Sequence, residues 1–494
     1  MDKKNLFISL FIFFFFLSSF LYYEQPGILQ LDLVGMATYA EYVILGEKLV
    51  ASPLDLAPYE HGVIPWRTGN QLLTTATFFI LSQTAILPTP PSAEHAVFLT
   101  QFIFGSLGIV FLYLFLFQLY KKYIPALFGA LIFGASAPLF NAILSKDHGT
   151  EFFFAFGSFY FLSIALEKNK VIYFFLTSLF LGLLLWMREA GLFFPILLYG
   201  FFIVQTIIVT YNSQERKVIY NKEIVTLKNI SLLFLPYFVL ACLAFYVYVF
   251  ALLKNATTDL NAAFFTYTAE MVSTISDWHP LLYFLFVFLG LYFGIIKKEK
   301  SILFFGLITL FFFVLFTKNA TFDLRHLGIY VFFPASVIIC YGLCCLERKW
   351  MQIAVFFLAG VLCVQLFMPG ISLFEQRKEQ IYTKEFGLGI ASVVPSDGIV
   401  FAQKDFCLFV AYYAKRTCQG MPTSLDTFDS ALASGKRVFV FYEAGFGFYD
   451  DTMKNAIEEK YVLASVYSGK FETFHHADLD PQIYDEQLIE IKVK

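Results

Sequence analysis

VIYFFLTSLFLGLLLWMREAGLFFPILLYGFFIVQTIIVT, residues 171–210, carries no charge except Arg188 and Glu189 near its middle. One crossing of a membrane takes roughly 20 apolar residues, so the stretch is long enough for two spans, and the charged pair marks the turn between them. It is entered through Lys168 and Lys170 and left through the basic loop 211–228, with Arg216, Lys217, Lys222 and Lys228. Both ends therefore face one side of a membrane, and the Arg188 turn faces the other.

The same alternation runs outward along the chain. Lys3 and Lys4, Lys121 and Lys122, Lys297, Lys298 and Lys300, and Arg348 and Lys349 join the basic face. The breaks between them hold Asp32, Glu41, Asp147, His148, Glu151, Glu270, Asp277 and Asp323, with the single arginines Arg67, Arg188 and Arg325. Over the first 373 residues about fifteen Lys/Arg fall on the basic face against about seven on the other, which makes the basic face cytoplasmic by the positive-inside rule. Chemistry then belongs on the outer face. With 58% hydrophobic, 20% aromatic and only 15% charged residues, the chain cannot be a single soluble globule. Its net charge of -3 averages a basic inner face against an acidic outer one, and no basic tail points to nucleic acid.

Spans are expected near 5–23, 96–119, 124–144, 151–166, 171–187, 190–210, 229–252, 281–296, 301–317, 327–346 and 351–373. The first has a Lys-Lys flank but no small-x-small cleavage site in SSFLYYEQP, and reads as a signal anchor. The predicted fold is a polytopic α-helical membrane protein of about 11 transmembrane helices, each satisfying its backbone internally. The transmembrane domain covers 1–373 and includes an outer loop, 24–95, whose segments DLVGMATYAEYVILGEKLV and QLLTTATFFILSQTAIL read as interfacial helices. Residues 374–494 read as a small extracytoplasmic α/β domain, with strands IVFAQ, RVFVFYE and YVLASVYS alternating with helices. It has no GxGxxG or P-loop spacing. Cys407 and Cys418, both in this domain, can pair in an oxidising compartment, and no Cys/His cluster has zinc-ligand spacing.

Candidate site residues sit on the outer face. Asp32, shortly after the first span, is either a helix N-cap or a partly desolvated carboxylate able to act as a general base. SKDHGTEFFFAFG (145–157) packs Lys146, Asp147, His148 and Glu151 into the start of an apolar span, and the two acids, four apart, share a helix face. Glu151 also suits the positive end of the helix dipole. LLLWMREAGLFFP (183–195) sets Arg188 at the outer interface, either paired locally with Glu189 or gripping a phosphate in two hydrogen bonds. TKNATFDLRHLGIYVFFP repeats the arrangement with Arg325 and His326.

An acid soon after span one, an acid at the start of span four, the arginine after LGLLLWM, and the Arg-His of RHLGIYVFFP followed by a proline-containing span together resemble the GT-C superfamily of membrane glycosyltransferases. The likeness covers the whole chain and lies nearest the polyprenyl-phosphate-sugar-dependent group of protein O-mannosyltransferases and lipid A aminoarabinose transferases. Protein O-mannosyltransferases carry an Asp-Glu pair in the first loop, whereas here Asp32 is followed by Leu33. The resemblance implies a GT-C-like fold and transfer of a sugar from a polyprenyl-phosphate donor to a lipid, glycan or protein acceptor at the outer face of the plasma (inner) membrane. It implies Asp32 as a catalytic residue with Asp147 or Glu151 as the second acid, a choice the sequence leaves open, and His148, Arg188, Arg325, His326 and Arg67 as substrate-binding residues. A divalent cation at the outer-face carboxylates is compatible with it, and it makes no cofactor certain. Two other classes fit the residues: a transporter or flippase of a lipid-linked substrate, and a ligase or polymerase of surface glycans.

Overall fold

The computed structural model describes residues 2–28, 31–45, 68–84, 93–188, 191, 193–212, 215–220, 223–255, 268–316, 327–442, 451–473 and 482–494. They form two compact units. One comprises Met1–Tyr22 with Gln101–Ser372, the other Tyr23–Thr100 with Leu373–Lys494. The first-loop segment thus belongs to the same unit as the C-terminal segment.

The first unit is built of apolar helices: α1 (Lys3–Tyr22), most of α4 (Ala93–Tyr120, divided from the other unit after Thr100), α5 (Tyr123–Ala135), α6 (Ala137–Leu144), α7 (His148–Lys168), α8 (Val171–Met187), α9 (Phe194–Thr206), α10 (Leu227–Asn255), α11 (Thr268–Trp278), α12 (Leu281–Ile296), α13 (Lys300–Phe316), α14 (Phe333–Cys344) and the first part of α15 (Lys349–Glu379). Among the described residues five helical stretches are long and apolar enough to cross a membrane, or six if α5 and α6 count as one. Along α12 the exposed residues Leu281, Leu285, Phe288, Tyr292 and Ile295 make one apolar stripe. Such an exposed stripe suits lipid rather than water. The opposite, buried face carries Tyr283, Phe286, Gly290 and Gly294, and a Cβ at Gly290 would collide with the carbonyl of Ile338 on α14, so only glycine lets these helices touch there. Behind it, phenylalanines fill the interior, with Phe159 centred among Phe115, Phe201 and Phe333 at 4.9 to 5.5 Å. Offset and edge-on ring contacts of this kind favour close packing between helices.

Three expectations need correcting in this unit. The span 124–144 is broken: α5 and α6 meet at 67°, because Ser136 is extended and Pro138 belongs to the first turn of a new helix. His279 braces the break, with Nε2 3.2 Å from Ser136 Oγ and its ring stacked 4.4 Å from that of Phe332. Burial pushes its imidazole down to about 4, so it is neutral. Second, the span 190–210 ends early. α9 stops at Thr206, and the basic loop folds as a hairpin of β1 (Ile207–Asn212) and β2 (Glu215–Tyr220), paired Ile207 to Tyr220. Third, the helix at 327–346 begins with a turn of π-helix, Gly328–Phe332, before α14.

The second unit holds α2 (Leu31–Leu45), α3 (Thr68–Gln83), the start of α4, the end of α15 and α16 (Tyr382–Val393). Its five-stranded sheet has the order β4 (Thr417–Gly420), β3 (Ile399–Ala402), β5 (Val438–Phe441), β7 (Gln482–Val493), β6 (Tyr461–Thr473). β4, β3 and β5 are parallel, whereas β7 runs antiparallel to both β5 and β6. IVFA and VFVF are buried at every position, as expected of strands covered on both faces. Phe401, Phe428, Val440, Ile457 and Ile489 form their core with α18 (Asp426–Ala433) and α19 (Asp451–Lys460). α17 (Lys404–Phe409) carries Cys407, which is disulfide-bonded to Cys418 of β4 across a Cα separation of 5.1 Å.

Candidate active site

α7 and α8 form an antiparallel hairpin through Asn169, which adopts the left-handed conformation that asparagine tolerates at a helix end. α7 has 21 residues and α8 has 17, so at about 1.5 Å per residue the end of α8 returns to within about a turn of the start of α7. That geometry sets Arg188 beside Asp147, His148 and Glu151. The α8 helix stops at Met187, and Arg188 is extended, with φ -160°.

Four side chains close on one another here. Arg188 Nη1 donates to Asp147 Oδ1 at 2.9 Å and lies 2.6 Å from His148 Nε2, while its Nε stands 3.4 Å from Glu151 Oε2. His148 Nδ1 is 2.5 Å from the same glutamate oxygen. None exceeds 4% side-chain exposure, so the group is withdrawn from solvent. Lys146, the residue before Asp147, is buried as well. Charges so placed need each other, since a buried ion without a counter-charge costs several kcal/mol.

A neighbouring helix is fitted closely to this end of α7. A Cβ at Gly149 would collide with the carbonyl of Gln101 on α4, and the Thr150 amide donates to Gln101 Oε1 at 3.3 Å. On another side Gly328 abuts Phe152, the residue after Glu151, where the π-helical turn leads into α14.

The structure thus brings together Asp147, Glu151, His148 and Arg188. Asp147 stands at the N-cap position of α7 but makes no side-chain cap bond, so its carboxylate serves Arg188 rather than the helix end. Both acids reach the same guanidinium, as their four-residue spacing predicts. Asp32 is the second residue of α2, in the other unit, and its side chain lies outside the described residues, as do Arg67, Arg325 and His326. Gln101 and His279 escaped the sequence reading. Gln101 had a signal, a carboxamide inside an apolar span, which lipid exposure would penalise; His279 had only its place before a span in DWHP.

Among the described residues no three His, Cys, Asp or Glu side chains are arranged to hold a metal ion. Between Asp147 and Glu151 the guanidinium occupies the position a cation would take, so this acid pair does not fit a divalent ion.

No family model matches the sequence, and no curated protein matches it. Solved structures do. ArnT from Cupriavidus metallidurans bound to undecaprenyl phosphate superimposes with a TM-score of 0.60 at 9% identity, over 99% of this chain and 97% of that one. The apo form of the same protein gives 0.59 at 10% identity, with the same coverage. The apo oligosaccharyltransferase of Archaeoglobus fulgidus gives 0.55 at 11% identity, over 97% of this chain and 76% of that one. Both proteins are GT-C glycosyltransferases. The fold is therefore the GT-C membrane fold, as the resemblance in the sequence implies.

Proposed function

We propose that this protein transfers a sugar from a polyprenyl-phosphate-linked donor to an acceptor at the outer face of the plasma (inner) membrane, with inversion at the anomeric carbon. The observation that carries the reading is the desolvated Asp147, His148, Glu151 and Arg188 group, built at the shared end of α7 and α8. Its support is a fold shared along nearly the whole chain with a protein solved bound to undecaprenyl phosphate. No nucleotide sugar is available outside the cytoplasm, so a donor there must be lipid-borne. The proposed orientation has the N-terminus cytoplasmic and the C-terminal domain outside, following the basic loops.

In this reading an acceptor hydroxyl or amine attacks the anomeric carbon, the bond from that carbon to the phosphate oxygen breaks, and the polyprenyl phosphate leaves with the bonding electrons. Asp32 takes the acceptor proton as general base. Arg188 neutralises charge developing on the departing phosphate, exchanging one of its carboxylate partners for a phosphate oxygen; Arg325, His326 and Arg67 complete the donor site. Asp147 and Glu151 orient the guanidinium and the acceptor. No step passes through a metal ion.

The test is transfer by purified protein from a defined polyprenyl-phosphate sugar to lipid, glycan and peptide acceptors, with the anomeric configuration of the product determined. Movement of the lipid-linked sugar across vesicles without transfer to any acceptor would replace this reading with a flippase.

A further inference from the structure

The helix that carries Asp32 is met near both ends by side chains of the C-terminal segment. Before α2, Lys384 Nζ donates to the carbonyl of Pro26 at 2.5 Å and to Glu94 Oε2 at 2.8 Å. The Tyr413 hydroxyl accepts from the Ile28 amide at 2.6 Å and donates to the Ile28 carbonyl at 3.2 Å. Gly27 lies between these contacts, and a Cβ there would collide with the Lys384 side chain at 2.7 Å and crowd the Tyr413 hydroxyl at 3.2 Å. At the far end of α2, Glu41 receives Lys415 Nζ at 2.7 Å and the Tyr412 hydroxyl at 3.2 Å. Lys415 also lies over the Tyr412 ring, 5.0 Å from its centre.

Tyr412, Tyr413 and Lys415 all fall inside the segment closed by the Cys407–Cys418 disulfide. The covalent loop restricts the freedom of these three side chains' backbone before they meet α2. Burial, with Glu41 and Glu94 nearby, holds both phenols well above their usual range, so they remain donors at any physiological pH.

We infer that the disulfide-closed segment 407–418 is a clamp that fixes the backbone of α2 and thereby the place of Asp32. Tyr412, Tyr413 and Lys415 are positioning residues for the transfer reaction. The inference rests on Asp32 as the general base. A misplacement of a reacting group by about 1 Å can cost on the order of 100-fold in rate, so a loosened helix is read in kcat rather than in donor binding.

The experiment uses full-length protein and compares Tyr413→Phe, Lys415→Met and the Cys407→Ser/Cys418→Ser double variant with wild type and Asp32→Asn. Amide exchange over 31–45 should quicken in each clamp variant, and kcat should fall by about 10- to 100-fold while donor KM stays at the wild-type value. Reversing the pair, Glu41→Lys with Lys415→Glu, should restore much of the rate lost in Lys415→Glu alone. Unchanged exchange over 31–45 in both Tyr413→Phe and Lys415→Met overturns the clamp. So does faster exchange with undiminished kcat when Asp32→Asn is inactive. Full activity in Asp32→Asn instead removes the base assignment, and with it the purpose given to the clamp, while the exchange data still decide whether α2 is held.

Discussion

Nη1 of Arg188 stands 2.6 Å from Nε2 of His148, and that approach fixes the state of the imidazole. A guanidinium has no lone pair to offer, so Nε2 must accept and the ring proton resides on Nδ1, 2.5 Å from Glu151 Oε2. The histidine thus lies between the arginine and the glutamate.

Arg188→Lys keeps the charge but loses the planar fork that reaches Asp147 and Glu151 together. One charge-assisted bond of about 1.5–3 kcal/mol should disappear, lowering kcat/KM by about 10- to 100-fold. Steady-state kinetics on the folded fraction checks this; wild-type kinetics would place the phosphate site elsewhere.

Asp147→Asn or Glu151→Gln removes one of the two carboxylates that face Arg188. Each should destabilise the protein by about 3–5 kcal/mol, as removal of one partner from a buried ion pair does. Combining both with Arg188→Met removes the charges together and should recover most of that loss while abolishing transfer. Thermal unfolding in detergent, read beside the transfer assay, separates the two effects.

Asp32→Asn preserves size and removes the basic lone pair. If Asp32 deprotonates the acceptor, turnover should fall by about 100-fold or more with folding intact. Donor affinity should hold, because the carboxylate acts on the acceptor. Retained turnover sinks the assignment.

Glu472 accepts from the Tyr382 amide at 2.7 Å, and burial raises its carboxyl to about 7 against the pull of Arg377. Between its ordinary value near 4.5 and about 7, the folded state keeps a proton that the unfolded chain has released, so stability falls as pH rises through that window. The loss is on the order of 3 kcal/mol once the pH is above 7. Amide exchange in β6 as a function of pH should show it, and Glu472→Gln should flatten the profile.

Topology is open to direct measurement. An impermeant thiol reagent should label a cysteine introduced at the exposed Ser434, Ser434→Cys, from outside the cell. Labelling confined to the cytoplasmic side would reverse the orientation.

The helices were legible where charge and apolar length agreed: the spans expected at 171–187 and 281–296 coincide with α8 and α12. The break in 124–144 had a written signal in Ser136 and Pro138, overridden by the unbroken apolar run around them. β7 was missed because its acids at 485, 486 and 490 mask the alternation of Ile489, Ile491 and Val493. In the site, Asp147, His148 and Glu151 were legible as a group. The partner of Arg188 was not: sequence offered the adjacent Glu189, whereas its observed partners lie some forty residues earlier and meet it only because two helices fold back on each other.

The turn at Asn169 makes the α7–α8 pair a ruler whose marks are residues. Each position added to α8 would rotate its end by about 100° and advance it about 1.5 Å, sending Arg188 toward lipid or into the phenylalanine core. An insertion or deletion between 170 and 187 would disable the site while changing none of its side chains. Substitutions along α8 act on packing, but its length is a specification of the chemistry.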